Sequence, residues 1–317
     1  MKRLFLCLFC LLLIGCSAEK QPETVYLTDY PVRISVILPH DDALSTGEGG
    51  YWSEIAAGTE VAAKDLDMDV KVVFPQINYD VQQLIQLIRQ ETCARPDAMI
   101  VQGIDDAAYI TALQEANESG ILVVLVDTDV DLGFSHLYVG TDNLEAGRQL
   151  GRFVEKTTKG KADILVISGG TEYPNVEERL QGLREIVEAS SEMEILDVGY
   201  DHFDALTVMT EYERMLKAHP HADTIVCLEG TGGQTLSRML TKESSQVTNI
   251  FVFDITNDVR IALEDGLFQG VLTQNQKQMG SIAVQEIYGK LIDGSYSASV
   301  VHTPTQILTQ EVGTDGK

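Results

Sequence analysis

The chain has 317 residues, 44% of them hydrophobic and 22% charged, with a formal net charge of −25. A body so acidic repels phosphate backbones, which argues against nucleic acid as a partner, and most of the charge is expected on a solvated exterior that aids solubility. The length suffices for two domains of ordinary size.

Lys2 and Arg3 precede an apolar run from Leu4 to Ile14. A helix needs ~20 residues to span a bilayer, so residues 1–15 read as a signal peptide. The run ends Leu13-Ile14-Gly15-Cys16, which resembles the lipobox of bacterial lipoproteins. That resemblance implies cleavage before Cys16, lipidation of Cys16, and a protein anchored to a membrane on the extracytoplasmic side. Loss of Lys2 and Arg3 leaves 21 basic against 48 acidic residues, a net charge of −27. Residues 16–31, polar with two prolines, read as a lipidated tether. Of five cysteines, Cys93 and Cys227 remain for the fold; both are expected to be small buried thiols rather than a disulfide.

Beyond the tether, short β-branched runs alternate with longer amphipathic stretches. The runs fall at residues 32–39, 69–75, 98–103, 121–128, 136–141, 162–170, 194–200, 223–230, 249–255 and 270–275. Apolar on both faces, they read as strands of parallel sheets covered by helices. Between the second and third runs, Val81, Leu84, Ile85, Leu87 and Ile88 recur at helical spacing. Between the sixth and seventh, "PNVEERLQGLREIVEAS" opens with a first-turn proline and repeats Val176, Leu180, Leu183 and Val187. Strand–helix–strand units in series give right-handed crossovers and a doubly wound α/β architecture, and ten strands call for two sheets.

In open α/β sheets the ligand lies at the carboxyl ends of the strands. The runs end on Asp41 and Asp42, Gln102, Asp127, Thr171, Glu229, Asp254 and Gln274. Carboxylates accept from hydroxyls while amides donate and accept, so this set suits a hydroxylated ligand. Tyr51-Trp52, containing the single tryptophan, begins the first helical pattern, and flat rings stack on the apolar face of a sugar. A core-packed aromatic is the alternative for Trp52.

Over about residues 32–310 these segments resemble the ribose- and galactose-type (class I) solute-binding proteins. "SHLYVGTDNLEAGRQLG" (135–151) is similar to that family's strand, Ser/Thr-Asp-Asn and glycine-containing helix, where the chain first crosses between lobes. "GGTEYPNVEERLQGL" (169–183) matches its Glu-Arg-x-x-Gly-hydrophobic segment, with Arg179 on the ligand-binding arginine. "NIFVFDIT" (249–256) matches the strand ending in a binding aspartate, and "GVLTQNQKQMG" (270–280) the segment whose glutamine lines the cleft. The resemblance implies two doubly wound parallel-sheet lobes joined by a three-crossing hinge. The N-terminal lobe would take 32–141 plus 275–302, and the C-terminal lobe 142–274 plus 303–310. The expected ligand-binding set is Asp41, Asp42, Tyr51, Trp52, Gln102, Asp127, Arg179, Glu229, Asp254 and Gln274. Two positions depart from the family: Asp127-Thr128 stands where Asp-Arg is frequent, and Glu229 where an asparagine or aspartate often closes the strand. Arg179 is the single cation of the set, which disfavours phosphorylated sugars and favours a neutral sugar or polyol, with an amine-bearing ligand still open.

No P-loop, nucleophile elbow or catalytic triad is found, and no cofactor or metal is implied. His219-Pro220-His221 reads as a turn rather than a metal pair, and the glycines of "EGTGGQTL" (229–236) read as a tight turn. Three functions compete: a receptor delivering a sugar to the membrane permease of an ABC transporter, a sensor engaging a membrane histidine kinase or chemoreceptor, and a lipid-anchored hydrolase using paired carboxylates. A binding protein acting as a monomer is the favoured expectation. A sugar-responsive repressor is excluded, since no helix-turn-helix precedes residue 32.

Overall fold

A computed structural model describes residues 31–41, 50–171, 173–295 and 299–310. Cys16, with the leader and most of the tether, and Asp42 lie outside the described residues.

All ten apolar runs form strands: β1 (Arg33–Ile37), β2 (Asp69–Val73), β3 (Ala98–Gln102), β4 (Leu122–Val126), β5 (Leu137–Thr141), β6 (Ala162–Ser168), β7 (Met193–Tyr200), β8 (Thr224–Cys227), β9 (Asn249–Phe253) and β10 (Gly270–Thr273). Two more follow, β11 (Val300–Thr303) and β12 (Gln306–Leu308). They build two six-stranded sheets, ordered β11-β5-β4-β3-β1-β2 and β12-β10-β9-β8-β6-β7. Central strands such as β3, β5 and β8 are buried at every residue, whereas edge strand β2 is at most half-buried. This is why the central runs read as continuous apolar segments. One expectation needs correction: β12 pairs antiparallel to β10, Val271 opposite Leu308, so the second sheet is not wholly parallel. At three residues β12 is too short and too exposed to impose a pattern.

The chain passes between the sheets three times, after Thr141, after Thr273 and after Thr303. In each sheet the order reverses beside the first strand to enter it: β1 lies between β2 and β3, and β6 between β7 and β8. That reversal opens a crevice at the carboxyl ends, where helices on opposite faces diverge.

Helices connect the strands: α1 (Tyr51–Asp65), α2 (Val81–Ala94), α3 (Ala107–Glu118), α4 (Asn143–Thr158), α5 (Pro174–Glu188), α6 (Ala205–Ala218), α7 (Gly230–Met239), α8 (Asn257–Glu264) and α9 (Gln276–Tyr288). Part of the acidity has a structural use here. Asp80, Asp106, Asp142, Asp204 and Glu229 each accept from backbone N–H groups in the first turn of a helix. They satisfy donors with no intrahelical partner and complement the helix dipole. The glycines after Glu229 are therefore not a tight turn, as the sequence suggested, but the start of α7. A Cβ on Gly233 would press on Val252 of β9, so small residues let this helix approach its sheet.

Helix α5 shows how packing fixes the site. Val176, Leu180, Leu183 and Val187 are all buried, each contributing about 1.5–3 kcal/mol. Pro174 at the first turn pre-sets the helical φ. The flank of this buried stripe meets α4 closely: a Cβ on Gly147 would run into the Arg179 carbonyl, and one on Gly182 into the Leu144 carbonyl. Backbone contact of this kind holds Arg179 at a set depth. Of the two thiols, Cys227 is buried as expected, but Cys93 is exposed, because it lies on the solvent side of α2 opposite Leu84, Ile85 and Ile88.

Candidate functional site

Strands β4 and β9 each end on an aspartate with a left-handed backbone, Asp127 at φ 67° and Asp254 at φ 62°. Asp and Asn enter that region more readily than other non-glycine residues. At Asp127 the bend is tight enough for the Thr128 N–H to bond the Val126 carbonyl at 2.7 Å. This three-residue turn aims the carboxylate away from the sheet end.

Both Asp127 oxygens are engaged. Oδ1 accepts from the Tyr51 hydroxyl at 2.5 Å; Oδ2 accepts from Gln102 Nε2 at 2.9 Å and Thr128 Oγ1 at 2.8 Å. A further donor comes from the helix that follows the second sheet's β6: Asn175 Nδ2 lies 3.2 Å from Asp127 Oδ2. Gln102 Oε1 is buried and accepts no hydrogen bond from the protein.

Gln274, at the second crossing, joins the two halves of the site. Its Oε1 accepts from Thr141 Oγ1 at 2.8 Å and from Arg179 Nη2 at 3.0 Å, while its Nε2 donates to the Asp254 carboxylate at 3.0 and 3.2 Å. Arg179 is buried; its Nε donates to Asn143 Oδ1 and its Nη1 to the Leu228 carbonyl, both at 2.9 Å. Its guanidinium lies 4.3 Å above the Phe253 ring, a cation–π contact that helps retain the charge away from water. Burial raises the Asp254 carboxyl from 3.8 to about 6, Arg179 and Gln274 oppose that rise, and Asp127 and Glu229 add to it. Burial, reinforced by Asp127 and Asp254, also pushes the Tyr51 hydroxyl well above its ordinary value.

The structure thus brings together Tyr51, Gln102, Asp127, Arg179, Asp254 and Gln274. Glu229 is adjacent, since a Cβ on Gly230 would sit 3.6 Å from that of Asp254. Its own carboxylate, however, accepts from Thr231 N at 2.6 Å and Gly232 N at 2.5 Å, capping α7. Glu229 also faces Asp201, which is fully buried; burial and the Glu229 charge hold Asp201 protonated far above the carboxylate range. Trp52 is buried among the residues of α1 and α9, with its indole N–H donating to the Tyr79 hydroxyl at 3.0 Å. Asp41 is exposed beside His40, and Thr171 is an exposed turn residue, so neither joins the cluster. His219 and His221 lie in the turn between α6 and β8.

Sequence reasoning missed Asn143, Asn175, Thr128, Tyr79 and Phe203. Asn143 and Asn175 stand inside the segments "TDNLEAG" and "YPNVEERL" that were singled out, so proximity to those motifs was their available signal. Tyr79 and Phe203 lie outside any periodic pattern. Among the described residues no group of His, Cys, Asp and Glu is arranged to hold a metal ion, and no helix is long and apolar enough to cross a membrane.

Residues 43–295 match the family described as periplasmic binding protein domain. The ribose import binding protein RbsB of Bacillus subtilis (strain 168) is 23% identical over 311 residues, covering 95% of each chain. GanP, a glucose-galactose binding protein from Geobacillus stearothermophilus, superposes with a TM-score of 0.82 at 22% identity, over 89% of this chain and 99% of its own. A solute binding protein from Burkholderia graminis C4D1M, solved in complex with D-arabinose, gives 0.80 at 22% identity, over 91% and 99%. Each of these three is named or was solved as a protein that binds a sugar. With the family match spanning most of the sequence and the same two-sheet architecture in its neighbours, the chain belongs to the periplasmic binding proteins, with the class I solute-binding fold.

Proposed function

We propose that this protein captures a small neutral sugar or polyol between two lobes and delivers it to an ABC transporter from a lipid anchor at Cys16, without catalysing a reaction. The lobes comprise 32–141 plus 275–302 and 142–274 plus 303–310. The observation that carries this reading is the buried cluster of carboxylates and amides at the facing strand ends, in which Asp127 and Asp254 offer charged acceptors and Gln102 Oε1 has no donor. Hydroxyls are the ligand chemistry that fits, because they donate to carboxylates and accept from amides. Arg179 turns Nε, Nη1 and Nη2 toward protein acceptors, and the carboxylates of Asp127, Glu229 and Asp254 lie close by, so a phosphate would find few free donors and several like charges. Binding energy that differs between open and closed lobes drives closure, and the closed form is what the membrane partner reads.

A thermal-shift screen of the purified protein against monosaccharides, polyols and sugar phosphates tests this. A ligand at 100 times its dissociation constant stabilises by about 2.7 kcal/mol. The response should vanish in Asp254→Ala and weaken in Trp52→Ala. A sugar phosphate that binds while neutral sugars do not would refute the ligand class. Sugar-stimulated ATP hydrolysis by a reconstituted permease and ATPase would support delivery; closed-form binding to a membrane histidine kinase would replace it with signalling.

A further inference from the structure

Asp201 and Glu229 follow β7 and β8, the strands on either side of β6. The Asp201 N–H bonds the Ser168 carbonyl at the end of β6, and the Leu228 N–H bonds the Ile167 carbonyl, both at 2.9 Å. Asp201 has no exposed surface and Glu229 is 3% exposed. Two carboxyl groups therefore lie together out of reach of water. A buried carboxylate without partners is strongly disfavoured, so the hydrogen bonds of each decide which one carries the charge.

Glu229 has donors for both oxygens, the Thr231 and Gly232 N–H groups at the positive end of the α7 dipole. Asp201 is less well served. Its Oδ1 accepts from the Phe203 N–H at 2.9 Å, while its Oδ2 is buried and receives no donor from the protein. The remaining hydrogen-bonding neighbour of this carboxyl is the Glu229 carboxylate, itself an acceptor. Two acceptors meet only with a proton between them, and the better supported charge is that of Glu229, so the proton belongs to Asp201. Cys227 at the end of β8 also faces the pair, and it is a buried thiol that both carboxyls oppose ionising.

We infer that Asp201 is a positioning residue of the ligand site: its carboxyl donates a hydrogen bond to Glu229, which fixes Glu229 as the cap of α7 and holds the first turn of that helix against Asp254. The inference rests on the reading above that Asp254 accepts from the ligand. Contact runs unbroken along this path. A Cβ on Gly232 would come within 2.9 Å of Glu229 Oε1 and 3.1 Å of Cys227, so the first turn of α7 sits directly on the carboxylate it needs. A Cβ on Gly230 would lie 3.6 Å from that of Asp254. The shared proton also leaves one negative charge rather than two beside Asp254, whose carboxyl the Glu229 charge already pushes up.

Urea unfolding of the ligand-free protein tests the proton. The folded chain keeps it on Asp201 up to about 10, whereas the unfolded chain releases it near 3.8. Asp201→Asn removes that difference, so from pH 7 to pH 9 the unfolding constant of the wild type should rise about tenfold per pH unit relative to the variant. Asp254 adds no such slope, because its own penalty is complete above 6. With aspartates labelled at the carboxyl carbon, infrared spectra at pH 8 should show a protonated acid in the wild type and none in Asp201→Asn. Calorimetric titration with D-ribose, D-arabinose and D-galactose tests the positioning. Asparagine keeps an N–H for Glu229, so Asp201→Asn should bind any sugar the wild type binds with the same affinity, and Asp201→Leu roughly 2- to 30-fold more weakly. The fall in affinity as Asp254 takes up a proton should move to lower pH in Glu229→Gln and stay in place in Asp201→Asn. A flat ratio of unfolding constants from pH 7 to pH 9, or no acid band at pH 8, overturns the proton; full affinity in Asp201→Leu overturns the positioning. If the wild type binds none of the sugars, the functional reading fails, and the unfolding and infrared results still decide the pair.

Discussion

Asp254→Asn should stabilise the ligand-free protein at high pH and not at low pH. The carboxyl titrates at about 6 in the folded chain against 3.8 ordinarily, chiefly because it is buried. The unfolded chain releases this proton near 3.8 and the folded chain near 6. Between those values the folded state holds more protons, so stability falls as pH rises. Below 3.8 the penalty is absent; above 6 it is complete. At about 1.4 kcal/mol per tenfold the full penalty is about 3 kcal/mol. Asparagine keeps an acceptor for Gln274 Nε2 and tolerates the left-handed backbone, so about 2–3 kcal/mol should be recovered at pH 8. At ~2–4 °C per kcal/mol, that is a rise of ~4–12 °C in Tm. Thermal denaturation of both proteins from pH 4 to pH 8 measures it. The reasoning is refuted if the Tm difference is the same at both ends, or if the variant is the less stable at pH 8. The same substitution should remove sugar binding, because a charged acceptor becomes a neutral one, so stability and function would move in opposite directions.

Two further outcomes follow from packing. Gly182→Ala should lower stability by about 1–3 kcal/mol, since its Cβ would meet the Leu144 carbonyl and force α5 away from α4; thermal denaturation reads the loss, and sugar titration reads the accompanying shift of Arg179. A thiol reagent should modify Cys93 in the native protein and Cys227 only in denaturant, as mass mapping would show, because Cys93 is exposed while burial raises the Cys227 thiol well above its ordinary value.

The sheets were legible because a strand covered on both faces has to be apolar throughout, and such runs stand out without regard to what they pack against. Strands β11 and β12 were not, because four and three residues at sheet edges, half-exposed, carry no such demand. Asp127 and Asp254 were legible as strand ends, and the backbone explains why the residue there is aspartate rather than any polar type. Glu229 was legible for the same reason, yet its oxygens serve the first turn of α7, a local use that a strand-end rule does not separate from ligand binding. Asn175 and Phe203 acquire their positions when the second sheet's connections meet the first sheet's. That approach is tertiary, and no spacing within either segment encodes it.

Gln274 shows why the site and the crossings cannot be separated. It lies where the chain leaves β10 for α9, and one amide there serves three elements. Its oxygen takes a hydroxyl proton from Thr141 at the end of β5 and a guanidinium proton from Arg179 on α5, and its nitrogen donates to Asp254 after β9. A carboxylate could accept the first two bonds but would lose the third and set a like charge beside Asp254. Asparagine, one methylene shorter, could not span the same three partners. An amide of this length is therefore required by the geometry, and its consequence is mechanical. On the proposed reading, a ligand that reoriented the Asp254 carboxylate would pull on an amide bonded to both sheets at a crossing, so binding at the strand ends and bending at the crossings would draw on the same hydrogen bonds.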